Sequence, residues 1–256
     1  MKNLFDVSGK VALVTGGSRG IGLMIARGFV ENGVKVYVSS RSREACEQVA
    51  AELSEVGTCI ALPMDLSTVE GCEALAEQLA GLESQLDILV NNAGATWGES
   101  INTFPEKGWD KVMDINLKGP FFLTQKLLPL LRASASDERP ARVINIASID
   151  GYKNNSIETY SYAASKAGMV MLTRHMARNL AGDNVLVNGI APGPFESKMM
   201  AHTLDQHGDA IRASNPRRRI GRPEDMAAAA IFLASAASDY IVGETIKVDG
   251  GIVNCA

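Results

Sequence analysis

Tyr162-Ala-Ala-Ser-Lys166 sets a phenol and an ammonium four residues apart. On a helix that interval puts both groups on one face, one turn apart. A free tyrosine titrates at ~10 and is a poor acid–base group at neutral pH. A cation beside it favours the phenolate and brings the pKa down. Such a phenol can give a proton to a carbonyl oxygen while hydride arrives at carbon. A Tyr/Lys pair at this interval is also an ordinary pair of helix-surface neighbours, so alone it decides nothing. Ser148 adds to it. The residue follows the apolar run 142–147, at the carboxyl edge of an expected strand, where a hydroxyl can hold a substrate oxygen as charge develops. Tyr160 has Ala164 four residues on, and Tyr152 is followed directly by Lys153, so neither repeats the pattern.

A second group lies near the N-terminus. The run 11–14 leads into Thr15-Gly16-Gly17-Ser18-Arg19-Gly20-Ile21-Gly22 and then into an expected helix. Glycines allow a tight turn and let the backbone approach a pyrophosphate, which the N–H groups and positive dipole end of the helix then hold. A glycine-rich turn is weak evidence alone; its place between first strand and first helix strengthens it. An NAD site usually carries an acid about 20 residues further on, at the end of the second strand. Here that segment reads Val38-Ser39-Ser40-Arg41-Ser42, with no acid before Glu44. Arg41 can pair with a 2′-phosphate, Ser39 and Ser40 can hydrogen-bond it, and Arg19 can reach the same group. The expected cofactor is therefore NADP(H).

The elements that would position these groups alternate along the whole chain. Apolar runs at 11–14, 34–38, 58–64, 86–90, 142–147 and 185–190 predict strands buried on both faces, with a last strand at 244–248. Amphipathic stretches at 20–31, 43–54, 69–82, 107–132, 159–181 and 223–234 predict helices between them. Ser67-Thr-Val-Glu70 reads as a capping box, and Pro223 suits a first helical turn. The alternation predicts one doubly wound α/β domain over residues 1–256, with a parallel sheet of about seven strands. Two segments break the rhythm: the polar loop 134–140, and the long insertion 192–222, which is expected to be a lid. Phe195, Met199, Met200, Leu204 and Ile211 give that insertion apolar surface able to cover an acyl chain.

Composition narrows the field. The 256 residues are 46% hydrophobic and 21% charged, with a net charge of −4. That balance points away from nucleic acid and anionic membranes as partners. Residues 1–10 are mixed polar, without the apolar core of a signal peptide, and no apolar run is long enough to span a membrane. Cys46, Cys59, Cys72 and Cys255 form no CxxC pair and read as free thiols of a reducing compartment, so a cytoplasmic location is expected. His175, His202 and His207 lack metal-ligand spacing, and no metal is expected.

Thr15-Gly-x-x-x-Gly20-x-Gly22, Asn91-Asn92-Ala93-Gly94, Asn116, Ser148, Tyr162-x-x-x-Lys166 and Pro192-Gly193 stand in one order along the chain. In that order the sequence resembles the short-chain dehydrogenase/reductase family over essentially its whole length. Within the family it is most similar to the 3-oxoacyl-[acyl-carrier-protein] reductases, nearest the branch linked to rhamnolipid biosynthesis. The resemblance implies a role for each residue. Tyr162 would be the general acid/base. Lys166 would lower its pKa and bond the nicotinamide ribose. Ser148 would orient the substrate carbonyl, and Asn116 would hold a water linking Lys166 to solvent. Asp65 and Leu66 would meet the adenine, and Asn92, Ala93 and Gly94 would line the adenosine ribose. Ile190, Pro192 and Gly193 would flank the nicotinamide, and Ser197 would contact its carboxamide. The interval from Ser148 to Tyr162 is one residue longer than the family's usual spacing, which leaves the shape of the loop 150–158 open.

The resemblance also implies a homotetramer, packed through the helices carrying Asn116 and Tyr162 and through the last strand and helix. A 3-oxoacyl thioester on acyl carrier protein or coenzyme A is the first expectation for substrate. Arg139, Arg142, Arg178 and Arg217-Arg218-Arg219 could meet an acidic carrier or coenzyme phosphates, or could be solvated surface charges. A sugar, polyol or other small alcohol is the enzymatic alternative. A dinucleotide-binding sensor or scaffold is the alternative of another class, which would not need the Tyr/Lys pair.

Overall fold

The computed structural model describes residues 3–154, 157–197 and 200–255; the side chains of residues 201–204, 206 and 207 lie outside that description. Strands β1 (Val11–Thr15), β2 (Lys35–Ser39), β3 (Cys59–Ala61), β4 (Ile88–Asn91), β5 (Ala141–Ile146), β6 (Val185–Pro192) and β7 (Thr245–Val248) form one parallel sheet in the order β3-β2-β1-β4-β5-β6-β7. Helices α1 (Gly20–Glu31), α2 (Arg43–Leu53), α3 (Val69–Ala80), α4 (Glu106–Met113), α5 (Gly119–Ser134), α6 (Tyr160–Leu180), α7 (Ala201–Ser214) and α8 (Pro223–Ala234) connect and cover the strands.

The unbroken apolar runs follow from burial on both faces. On one face Ala12, Val14, Val36, Val38, Ile88, Val90, Ile144 and Ile190 pack with Ile25 and Phe29 of α1 and Met226 and Leu233 of α8. On the other face Leu13, Tyr37, Leu89, Val143 and Val187 pack with Leu75 and Leu79 of α3, Leu127 and Leu131 of α5 and Met176 of α6. Each fully buried aliphatic side chain contributes roughly 1.5–3 kcal/mol. A helix-covered parallel sheet therefore favours strands that are apolar at most positions.

After β3 the chain returns to the other side of β1 and lays down β4. The turn after β1 and the loop after β4 thus part at the carboxyl edge of the sheet. A crevice opens at such a switch of strand order, and ligands of open α/β sheets bind there.

The chain departs from the sequence expectations in four places. Strand 58–64 shortens to Cys59–Ala61. Leu62 N and Met64 N still donate to Val38 O and Ser40 O, but Pro63 between them has no N–H to give. The cap of α3 is Thr68, whose Oγ1 accepts from Gly71 N at 3.1 Å; Ser67 instead donates to Asp65 Oδ1. The single helix expected over 107–132 is α4 and α5 joined by a π-turn, Asp114–Lys118, in which Gly119 N reaches back five residues to Asp114 O. Pro120 removes the N–H that an α-helix would give to the Asn116 carbonyl, so the wider turn falls where the α pattern is already broken.

The insertion 192–222 is the fourth departure. It is built around a helix, α7, and its two ends are tied together by a parallel bridge between Phe195 and Gly221. Phe195, expected to face substrate, is instead buried in the core beside α8. Met200 and Ile211 are half-buried. Met199 and the side chains of Leu204, His202 and His207 lie outside the described residues.

Arg142, grouped by sequence with surface arginines, opens β5 and is buried, with its guanidinium on Asp239. Its position between β4 and β6 leaves it no route to solvent as a docking group. Cys46, Cys59 and Cys72 are buried free thiols and Cys255 is an exposed one. Burial pushes the thiols of Cys59 and Cys72 up to about 11. Among the described residues no helix is long and apolar enough to cross a membrane.

Candidate active site

Ser148, Tyr162 and Lys166 meet at the carboxyl edge of β5. Lys166 is buried, and its Nζ donates to the carbonyl of Ile146, the last residue of β5, at 2.7 Å. That bond fixes where α6 crosses the sheet edge. One helical turn before Lys166, the Tyr162 ring lies with its centroid 5.6 Å from Nζ. Two residues beyond Ile146, Ser148 is buried beside Tyr162, near enough for its hydroxyl to favour the ionised phenol. Ser148 Oγ also accepts from Asp150 N at 3.1 Å, which caps a short 3₁₀ turn, Ile149–Gly151.

The electrostatics differ from the sequence expectation. Burial pushes the Tyr162 phenol up to about 12; the Ser148 hydroxyl beside it opposes that rise, and the Asp150 charge adds to it. Burial brings the Lys166 ammonium down to about 8, against a smaller pull from Asp150 that keeps it charged. The expected depression of the phenol is therefore not present. The ammonium is turned toward Ile146 O, and desolvation outweighs its attraction.

Asn116 sits in the π-turn and is buried, but its side chain does not reach Lys166. Its Nδ2 donates to Ala95 O and to Ser165 Oγ, both at 3.0 Å, and its Oδ1 accepts from Ala95 N at 2.8 Å. Ser165 in turn donates to Tyr162 O at 2.8 Å. The amide thus ties the loop after β4 to α6 and has no proton left for a water. Pro120 leaves the Asn116 main-chain carbonyl as the group available for one.

The cofactor residues gather at the crevice between β1 and β4. A Cβ at Gly22 would stand 2.3 Å from Gly16 O, so the turn packs backbone on backbone and tolerates no side chain there. Arg19 precedes α1 without a side-chain cap, which leaves the first N–H groups of that helix without a side-chain acceptor. At the end of β2, Ser39 Oγ is buried without a hydrogen-bond partner. Ser18 Oγ donates to Ser40 Oγ at 3.0 Å, and Arg19 and Arg41 are exposed on either side. An uncapped helix start, an orphaned hydroxyl and two arginines with no acid among them fit a dinucleotide bearing a 2′-phosphate.

Several expected cofactor contacts are occupied by the protein itself. Asn92 Nδ2 donates to Thr15 O and Gly16 O, so Asn92 shapes the glycine turn. Asp65 accepts from Ser67 N and Oγ. Leu66 and Ile190 are buried in the core and offer a ligand only their backbone. Ala93 and Gly94 follow in the β4 loop, the first half-buried and the second exposed. Ile21 packs partly on the core. Pro192 pairs with Val248 across the β6–β7 edge, and Gly193 N donates to Val248 O. Ser197 faces the glycine turn: a Cβ on Gly20 would lie 3.2 Å from the Ser197 Cβ. The start of the insertion therefore crosses over the first βα turn.

Sequence reasoning missed Thr15, Ser165 and Asp150 as site residues. Thr15 Oγ1 donates to Val90 O and accepts from Asn92 N and Ala93 N, which locks the turn after β1 to the loop after β4. Its place at the head of the glycine motif was a signal for it. Ser165, inside the Tyr/Lys interval, and Asp150 had none beyond proximity in the chain.

The model of the short chain dehydrogenase family matches residues 10–208. The chain is 49% identical over 253 residues to the rhamnolipids biosynthesis 3-oxoacyl-[acyl-carrier-protein] reductase of Pseudomonas aeruginosa, covering 98% of this chain and 99% of that one. It is 37% identical over 257 residues to the 2-dehydro-3-deoxy-D-gluconate 5-dehydrogenase of Dickeya dadantii, covering 97% of each. The solved structure of the Pseudomonas aeruginosa RhlG/NADP active-site complex superposes with a TM-score of 0.95 at 48% identity, over 98% of this chain and 99% of that one.

The pKa directions predict a pH limb. With Lys166 losing its proton near about 8, kcat/KM for NADPH in the free enzyme falls above that pH. In Lys166→Arg, whose guanidinium stays charged, the remaining activity shows no such limb up to pH ~10. A pH–rate profile of both proteins checks this; an identical alkaline limb in the two would assign it to another group.

Proposed function

The chain belongs to the short chain dehydrogenase family, and from that premise we propose that it is an NADP(H)-dependent oxidoreductase that reduces the ketone of a 3-oxoacyl thioester to a secondary alcohol. The observation that carries this reading is the convergence of Ser148, Tyr162 and a buried Lys166 ammonium at the carboxyl edge of β5. The bound cofactor supplies the hydride. The first N–H groups of α1 would hold its pyrophosphate, with Ser39, Ser40, Arg41 and Arg19 at the 2′-phosphate. Lys166 would bond the nicotinamide ribose, and Ser197 the carboxamide.

Tyr162 gives its proton to the ketone oxygen while Ser148 holds that oxygen in place. At neutral pH a phenol raised to about 12 is fully protonated. The proton needed for reduction is therefore always on hand, and an alkoxide is basic enough to take it. The Lys166 ammonium then faces the phenolate left behind. Asn116, through its main-chain carbonyl, would hold the water that returns a proton from solvent.

Near-full-length identity of 49% to a 3-oxoacyl-[acyl-carrier-protein] reductase supports the thioester, carried on acyl carrier protein or coenzyme A. The 37% match to a sugar-acid dehydrogenase supports the second reading, oxidation of a sugar, polyol or other small alcohol. A sensor or scaffold would not need the proton-transfer pair that this chain keeps. With Arg142 buried and Arg219 bound to Asp225, the arginines left to meet an acidic carrier are Arg139, Arg178, Arg217 and Arg218.

The whole chain, 1–256, acts as one catalytic unit in this reading. Exposed Trp109, Phe121 and Met171 on α4, α5 and α6 suit burial in a homotetramer, and the free thiols suit the cytoplasm. The segment 192–222 is the substrate lid. Its ends are held by the Phe195–Gly221 bridge and the Arg219–Asp225 pair, which leaves α7 as the moving part.

Following NADPH absorbance against 3-oxoacyl thioesters of several lengths, sugar ketones and simple ketones tests the substrate. The thioesters are expected to lead by at least ~100-fold in kcat/KM; a sugar ketone that led instead would select the second reading. In the same assay NADPH is expected to exceed NADH, and Arg41→Asp to reverse the preference in part, because a carboxylate repels the 2′-phosphate. Equal use of both coenzymes by the unmutated enzyme would sink the NADP assignment. For the lid, limited proteolysis is expected to cut between Glu196 and Arg219 and to slow when NADP is added. Equal resistance with and without it would retire the lid.

A further inference from the structure

Cys46 lies one turn into α2 and is fully buried. Its Sγ stands 3.0 Å from Ser40 Oγ and, more loosely, 3.8 Å from Ser40 O. Ser40 turns the corner between β2 and α2, next to Ser39, whose buried hydroxyl has no partner. Two further groups meet the Ser40 hydroxyl. Ser18 Oγ, from the glycine turn, donates to it at 3.0 Å. Ser42 O accepts from it at 3.3 Å. The main chain of Ser40 is held as well, because its carbonyl accepts from Met64 N at 3.0 Å.

A hydroxyl has one proton to give and two lone pairs to accept with. The Ser40 proton goes to Ser42 O, since a carbonyl accepts better than a sulfur. The Cys46 contact therefore runs from the thiol to the hydroxyl. Ser18 and Cys46 then fill both lone pairs, and Ser40 has only its proton to offer a ligand. The hold of Ser42 O on that proton is weak, because the bond is long and the same carbonyl also accepts from Cys46 N at 3.1 Å. A 2′-phosphate is ionised and only accepts, and bonds to it are strengthened by its charge. Ser40 can turn its proton from Ser42 O to such an oxygen without releasing Ser18 or Cys46. The 2′-hydroxyl of NADH gains less, since Ser40 so arranged has no lone pair for its proton. Building on the placement of Ser40 at the 2′-phosphate, we propose that Cys46 is a positioning residue for coenzyme choice: its thiol fixes the Ser40 hydroxyl as a donor, which favours NADPH over NADH.

The test reads coenzyme preference, the ratio of kcat/KM with NADPH to kcat/KM with NADH, on one ketone. It is measured in the wild type, Cys46→Ala, Cys46→Ser and Ser40→Ala. In Cys46→Ala the preference is expected to fall about fivefold through a higher KM for NADPH, with kcat kept within about twofold. Cys46→Ser, whose hydroxyl donates as the thiol did, is expected to stay within about twofold of the wild-type preference. Should Cys46→Ala not fold, Cys46→Val, apolar and close in volume, is read the same way. An unchanged preference in Cys46→Ala beside a fall in Ser40→Ala overturns this inference alone. An equal fall in the alanine and serine variants overturns it too, because packing rather than a donor would then be at work. So does a rise in KM for both coenzymes together, which marks a structural role. A Ser40→Ala protein with the wild-type preference removes Ser40 from the 2′-phosphate, and this inference with it.

Discussion

An ammonium group buried at the edge of a sheet must find oxygen, because its desolvation otherwise costs several kcal/mol. Lys166 finds it in the carbonyl of Ile146. That one bond sets the register of the site. It ties α6 to the last residue of β5, so Tyr162, one turn earlier on the helix, and Ser148, two residues later on the chain, arrive at the same place. The same burial that demands the bond brings the ammonium down to about 8 and pushes the phenol up to about 12. Position and protonation state thus come from a single packing decision.

The cofactor side depends on a second lock. Thr15 ends β1, and its hydroxyl bonds Val90 O, Asn92 N and Ala93 N. The two strands at the switch of strand order are thereby joined just where their loops part. Asn92 then holds Thr15 O and Gly16 O, so the glycine turn is shaped from the β4 side as well as from its own sequence. Asn116 extends the network to α6 through Ser165. Buried polar networks of this kind hold one geometry when every member is satisfied.

The sheet was legible because strands buried on both faces leave continuous apolar runs, as at β1, β5 and β6. The Tyr162/Lys166 pair and the glycine turn were legible because their spacing is local. Three things were not. The π-turn at Asp114–Lys118 depends on Pro120, which by itself reads as a tolerated first-turn residue of the helix that follows. The burial of Arg142 and Phe195 is decided by distant partners, Asp239 and α8, that no local pattern reveals. The electrostatic balance at Tyr162 required knowing that desolvation outweighs a neighbouring cation, and spacing carries no information on depth.

The central claim is that the Tyr162 phenol supplies the proton. The most direct test is Tyr162→Phe, which keeps the ring and its packing and removes only the hydroxyl. Turnover with the best ketone and the dissociation constant for NADPH are measured on the same preparation. Turnover is expected to fall by at least ~100-fold while NADPH affinity stays within about threefold, since general acid catalysis contributes on that scale. Retention of more than about a tenth of wild-type turnover would contradict the claim and assign the proton to another group.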